Sequence, residues 1–129
     1  MSGRILLVED NPANQLLAAA VLERDGFEVV VVESAVDALT AIAFRTPDLI
    51  LMDIQLPEVD GLTLTRQLKA DPSTAAIPIV AMSAHAMTVD RDNALEAGCA
   101  GFITKPIDTR LFADQVRGYA QLETAEAGS

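Results

Sequence analysis

The sequence predicts an α/β fold: five strand–helix repeats, (βα)₅, doubly wound around a five-stranded parallel sheet. Three observations carry this expectation. Short aliphatic runs alternate along the chain with stretches at helical spacing. The runs are continuously apolar rather than alternating, which calls for burial on both faces and so for a parallel sheet with helices on each side. Of the 129 residues, 50% are hydrophobic but only 4% aromatic, so a sizeable core must be built from aliphatic side chains.

The elements follow in order. Ile5-Leu6-Leu7-Val8 is a strand that ends in Glu9-Asp10. Asn14 to Arg24 reads as a helix, with Leu16, Leu17, Ala20, Val21 and Arg24 at helical spacing and Gly26 as its stop. Phe27 to Val32 is the second strand, and Ser34 caps a helix from about Ala35 to Phe44. Pro47 breaks that helix, and Asp48 to Met52 is the third strand. Pro57 and Gly61 mark a loop before a helix from Leu62 to Ala70, which Asp71-Pro72-Ser73 ends. Pro78 to Met82 is the fourth strand, and Thr88 or Asp90 caps a helix running to Ala97. Gly101 to Thr104 is the fifth strand, and Asp108 caps a last helix continuing to about Leu122. Right-handed crossovers reduce such a pattern to a doubly wound sheet. The expected organisation is one domain over residues 1–122 with a frayed tail at 123–129 and no output domain.

The formal net charge of −10 argues against direct binding of nucleic acid or anionic membranes, which needs clustered Lys and Arg. It suits a divalent cation or a partner with a basic face. A single cysteine, Cys99, permits no intrachain disulfide and reads as a packing residue. The apolar run at Ile5–Val8 is too short for a signal-peptide core or a membrane span, so a cytoplasmic location is expected.

In an open parallel sheet, ligands bind at the carboxyl ends of the strands. Here those ends carry Glu9-Asp10, Asp53, Ser83 and, after the fifth strand, Lys105. Three carboxylates brought together repel one another unless a cation lies among them. Hard oxygen donors suit Mg²⁺, with Mn²⁺ an acceptable substitute. A lysine ammonium can neutralise a phosphoryl oxygen, and a serine hydroxyl can donate to it. A carboxylate nucleophile, a metal pocket, a hydroxyl and an ammonium together describe chemistry that passes through an aspartyl phosphate.

Over about residues 4–122 the chain resembles the response-regulator receiver family. The segments that carry the likeness are Ile5-Leu6-Leu7-Val8-Glu9-Asp10-Asn11, Asp48 to Pro57 with Asp60-Gly61 after it, Ile79-Val80-Ala81-Met82-Ser83-Ala84, and Phe102-Ile103-Thr104-Lys105-Pro106. Asp10-Asn11-Pro12-Ala13-Asn14-Gln15 and Ser83-Ala84-His85-Ala86-Met87 are closest in character to DivK-like single-domain regulators and to the receivers of hybrid kinases. The resemblance implies the CheY-like, flavodoxin-like strand order 2-1-3-4-5. It implies that Asp53 accepts a phosphoryl group from a histidine kinase or histidine phosphotransfer protein. Asp10, Asp53 and the backbone carbonyl of Gln55 would bind Mg²⁺ directly, and Glu9 through water. Ser83 would be the switch hydroxyl, Lys105 the partner of the phosphoryl oxygens, and Phe102 the switch aromatic, acting by packing because it lacks a hydroxyl. Gln55 and His85 would tune dephosphorylation, and the Lys105–Pro106 bond would be cis. Output would pass through the face formed by the fourth helix, fifth strand and fifth helix to a downstream protein.

Two other functions compete. A phosphohydrolase with an Asp nucleophile needs Asp-x-Asp, and the segment here is Asp53-Ile54-Gln55. A phosphorylation-independent binding module with the same fold would usually have lost an acidic residue or the lysine, and all are present. No glycine-rich nucleotide loop follows the first strand, which leads instead into Asp10-Asn11-Pro12. The expected protein is therefore a signalling phospho-acceptor rather than a metabolic enzyme, one that contributes to its own phosphorylation and dephosphorylation.

Overall fold

The computed structural model describes residues 3–54, 61–84 and 88–119. Gln55, His85, the end of the last helix and the tail 123–129 lie outside the described residues. The chain runs β1 (Arg4–Val8), α1 (Pro12–Arg24), β2 (Glu28–Val32), α2 (Ala35–Phe44), β3 (Leu49–Asp53), α3 (Gly61–Ala70), β4 (Ile79–Ser83), α4 (Thr88–Ala97) and β5 (Gly101–Thr104). Residues 112–119 are helical and form α5. All strand pairs are parallel, in the order β2-β1-β3-β4-β5.

Successive strand residues point to opposite faces, and each face has its own core. Leu6, Val8, Ile50, Met52, Ile79 and Ala81 face α2, α3 and α4, where they meet Ala38, Ile42, Leu64, Leu68, Ala94 and Cys99. Ile5, Leu7, Leu49, Leu51, Val80, Met82 and Ile103 face the other side, against Ala18, Val21 and Leu22 of α1 and Phe112 and Val116 of α5. Each fully buried aliphatic or aromatic side chain contributes about 1.5–3 kcal/mol. Burial on both faces is complete for β3 and β4. It fails for β2, whose Val31 is exposed, because the strand order leaves β2 at the sheet edge, where helices cover it less completely.

Several element ends differ from expectation for local reasons. The first helix starts earlier, at Pro12, because Asn11 caps it by accepting from the Asn14 N–H at 3.1 Å and proline suits the first turn. Its buried stripe is Ala18, Val21 and Leu22, while Leu16 and Leu17 are exposed. Seating the small Ala18 on the sheet brings the helix close and turns the two leucines outward. Ser34 caps α2 as expected, accepting from Asp37. The fourth helix already includes Thr88 and Asp90, so neither is its cap. Asp108 opens a turn ahead of the last helix: its carboxylate accepts from the Arg110 N–H and its carbonyl from those of Leu111 and Phe112. Gly26 and Gly98, with φ of 97° and 112°, supply the left-handed residues that end α1 and α4. Cys99 is buried, and burial pushes its thiol pKa up, as suits a packing residue rather than a reactive thiol. Among the described residues, no helix is long and apolar enough to cross a membrane.

Candidate functional site

Strand register builds the site. Val8 pairs with Met52, Asp53 with Met82, and Ser83 with Thr104. One residue further along, Glu9, Asp53, Ser83 and Lys105 therefore come out side by side at the carboxyl edge of four adjacent strands. The backbone extends this edge past the strand ends: the Ile54 N–H donates to the Met82 carbonyl and the Lys105 N–H to that of Ser83. The Lys105–Pro106 peptide bond is cis.

Carboxylate oxygens of Glu9, Asp10 and Asp53 lie within 4.8 Å of one another. Glu9 and Asp53 are buried, 1% and 2% exposed, whereas Asp10 is exposed. Lys105 Nζ stands 3.0 Å from Glu9 Oε1 and 3.2 Å from Asp53 Oδ2, bridging the two buried carboxylates. Glu9 is held twice more, as its other carboxylate oxygen accepts from the Asn11 N–H and its carbonyl from the Gln15 amide. Burial raises the Glu9 pKa, the Lys105 and Asn11 hydrogen bonds pull it back only in part, and the charge on Asp53 adds to the rise. Burial depresses the Lys105 pKa, but the Glu9 hydrogen bond and the charges of Asp53 and Glu9 outweigh it and leave the ammonium held above its usual range. Ser83 is fully buried at the end of β4.

This donor set fits a divalent cation. Three carboxylates cluster, two of them buried and bridged by the Lys105 ammonium, and together they form a pocket of hard oxygen donors. Asp10 supplies the exposed oxygens through which an ion would enter.

Of the residues expected at the site, Glu9, Asp10, Asp53 and Lys105 come together, with Ser83 on the same edge. Phe102 sits apart, packed against the core beneath α4, with the Arg91 guanidinium 5.8 Å from its ring centroid. Nothing in the sequence around a lone exposed arginine marks that stacking partner. Nor does the sequence mark the Glu9–Lys105 pair, whose members are 96 positions apart.

Gly61 is a further supporting residue, for which the Asp60-Gly61 pair was the available signal. A Cβ there would lie 2.4 Å from the Asp53 carbonyl oxygen and 2.7 Å from the Ile54 Cα, both rigid backbone. Only glycine lets the start of α3 pass this close behind β3. Its N–H donates to the Ile54 carbonyl, and its carbonyl accepts from the buried Thr65 hydroxyl. Gly61→Ala is expected to cost about 1–3 kcal/mol, measured by chemical denaturation, because the backbone must shift to admit the methyl group.

Comparison with known proteins agrees with this geometry. A family model for the response regulator receiver domain matches residues 5–117. The polar-differentiation response regulator DivK of Brucella ovis is 40% identical over 119 residues, covering 92% of this chain and 97% of that protein. Among solved structures, the receiver domain of the sensor histidine kinase PA1611 from Pseudomonas aeruginosa, with magnesium coordinated in its active-site cleft, is 34% identical with a TM-score of 0.84, covering 94% of this chain and 99% of that one. A response regulator from Chloroflexus aurantiacus is 26% identical with a TM-score of 0.89, covering 94% and 99%.

Proposed function

The chain belongs to the response-regulator receiver family of two-component signalling, and from that premise we propose that Asp53 takes a phosphoryl group from phosphohistidine and thereby switches a protein-binding surface. Phosphorylation-dependent switching is the family's role. The observation that carries the assignment to Asp53 is its carboxylate: buried, 3.2 Å from an ammonium, and clustered with two further carboxylates at a strand end.

The donor would be a histidine kinase or a histidine phosphotransfer protein, docking beside the first turn of α1. Asp53 attacks phosphorus as the bond to the imidazole nitrogen breaks. Lys105 already reaches Asp53, and it holds a phosphoryl oxygen with one of its three N–H groups. Asp10, Asp53 and the Gln55 carbonyl, supported by Glu9, are the residues that would hold Mg²⁺, or Mn²⁺ in its place. The bound ion supplies positive charge against the phosphoryl oxygens. Ser83 then donates to the new anion, and the segment after β4 follows it. Phe102 reads that movement by packing, sliding under or out from Arg91, and biases the face of α4, β5 and α5 toward a downstream partner. In this reading residues 1–122 are the receiver domain of a cytoplasmic regulator that acts by protein contact, and the family match over residues 5–117 supports the domain.

The test is intact mass after incubation with acetyl phosphate, with Mg²⁺ and with EDTA. One phosphoryl adduct that requires the cation is expected. Its absence in Mg²⁺ would favour a phosphorylation-independent binding module.

Gln55 and His85 stand two positions after the acceptor and two after the switch hydroxyl in the sequence, the positions to which the family resemblance gives the tuning of dephosphorylation. Their double substitution is expected to change the decay rate of the phosphorylated protein while its formation persists. Decay at the wild-type rate would remove them from that role.

A further inference from the structure

We propose that Gln15 is a positioning residue for the cation pocket: its side-chain amide fixes the backbone that carries Asp10, and so sets how tightly the three carboxylates hold a divalent ion. This rests on the reading of Glu9, Asp10 and Asp53 as that pocket, and it gives a task to a side chain that phosphoryl transfer itself does not use.

Only Glu9, Asp10 and Asn11 join β1 to α1. Glu9 is anchored to the sheet, since its N–H donates to the Val32 carbonyl at 3.0 Å and its carboxylate takes the Lys105 ammonium. Asn11 is anchored as the helix cap, and Pro12 after it favours the extended backbone it adopts, with φ −86° and ψ 119°. Asp10, between them, is exposed, so its carboxylate is placed by the backbone rather than by packing. Two peptide planes flank Asp10, and their setting fixes its φ and ψ. The plane after it is held at its N–H, which belongs to Asn11 and donates to Glu9 Oε2 at 3.1 Å. The plane before it is held at its carbonyl, which belongs to Glu9 and accepts from Gln15 Nε2 at 2.6 Å.

This is not ordinary helix capping. A capping box would send the third helical residue, Asn14, back to the N–H of the cap. Here the Glu9 carboxylate already takes that N–H, and the reach comes from the fourth helical residue to a carbonyl two positions before the cap. The atom met is a carbonyl oxygen, so a donor is required. A glutamine supplies it without bringing a charge to a pocket built for a cation. Gln15 is half-buried, which shields the bond from water in part.

The test is the affinity of the full chain for Mg²⁺ by calorimetry, with Mn²⁺ as a second probe, its free fraction read by electron paramagnetic resonance. Gln15→Met keeps the length of the side chain and loses the donor. It is expected to weaken binding of either ion about tenfold, as loss of a group that orients a metal ligand does. In acetyl phosphate labelling, the half-saturating Mg²⁺ concentration should rise by about the same factor, with the rate at saturation within about twofold of wild type. Circular dichroism should be unchanged, and the melting temperature in EDTA should fall by no more than about 4 °C, the scale of one hydrogen bond. Asp10→Asn should itself weaken binding. On top of Asp10→Asn, Gln15→Met should cost less than about twofold, because the carboxylate it positions is gone. Wild-type affinity in Gln15→Met would overturn the proposal. So would a tenfold loss that persists undiminished beside Asp10→Asn, which would make Gln15 a general structural residue. A wild-type protein that binds neither ion would remove the pocket, and the proposal with it.

Discussion

Asp53→Asn is expected to abolish phosphoryl uptake from acetyl phosphate and from any cognate kinase while leaving the fold intact. The amide keeps the shape of the carboxylate but is a far weaker nucleophile. The structural consequence has a definite sign. Asp53 is 2% exposed, and its charge raises the cost of keeping Glu9 ionised beside it. Removing one of two buried anions leaves Lys105 paired with Glu9 alone, a balanced pair. Asp53→Asn should therefore melt, in EDTA, at or above the wild-type temperature. Its Mg²⁺-induced rise in melting temperature should be much smaller than that of the wild type, because the pocket has lost a donor and a charge. Intact mass and a thermal scan with and without Mg²⁺ check both parts. Phosphoryl transfer to the variant at the wild-type rate would refute the assignment.

Lys105→Ala is expected to slow phosphorylation by about 10²-fold or more, the usual effect of deleting one preorganised donor to a developing anion. The ammonium lies within 3.2 Å of both buried carboxylates, so its loss also removes the positive charge that bridges Glu9 and Asp53. The prediction is the mirror image of that for Asp53→Asn. In EDTA the melting temperature falls below the wild-type value, and Mg²⁺ restores more of it than it adds to the wild type, because the cation then replaces the missing positive charge. Lys105→Arg is not expected to rescue the rate, because the broad planar guanidinium does not fit the position of a compact ammonium between two carboxylates. A variant with the wild-type rate and the wild-type response to Mg²⁺ would show that the Lys105 ammonium takes no part in phosphorylation.

The two predictions rest on residues that differ in how they could be found. Asp53 is legible because strand periodicity locates the end of β3 and an acid stands there. Lys105 is legible as a strand-end lysine, but its bridging of Glu9 is not, because a pair 96 positions apart leaves no local trace. Gly61 shows the intermediate case. A glycine after an acid marks a loop, yet the clash that forbids a Cβ comes from the Asp53 backbone and exists only once α3 has folded back behind β3. The stacking of Arg91 on Phe102 joins a helix to the strand that follows it, and it depends on where the neighbouring helix settles.

The run of apolar residues, the glycine and proline punctuation and the acids at strand ends are enough for the five repeats, the parallel sheet and the place of the acidic cluster, because those features act through hydrogen bonding and burial along one segment at a time. Which side of a helix reaches the core is decided by packing against other segments. In α1 the apolar residues go round the helix, and contact with β1 and β3 chose Ala18, Val21 and Leu22 over Leu16 and Leu17. In β2 the four consecutive valines look like a central strand, and the crossover order placed them at the edge. In α2 both faces are apolar, and the sheet took one of them, leaving Val36, Leu39 and Phe44 in solvent. Hydrophobicity is a property of each residue, but burial belongs to the assembled layers. The chemistry of this protein could therefore be read along the chain, whereas the surfaces it presents to partners became visible only once the layers were in place.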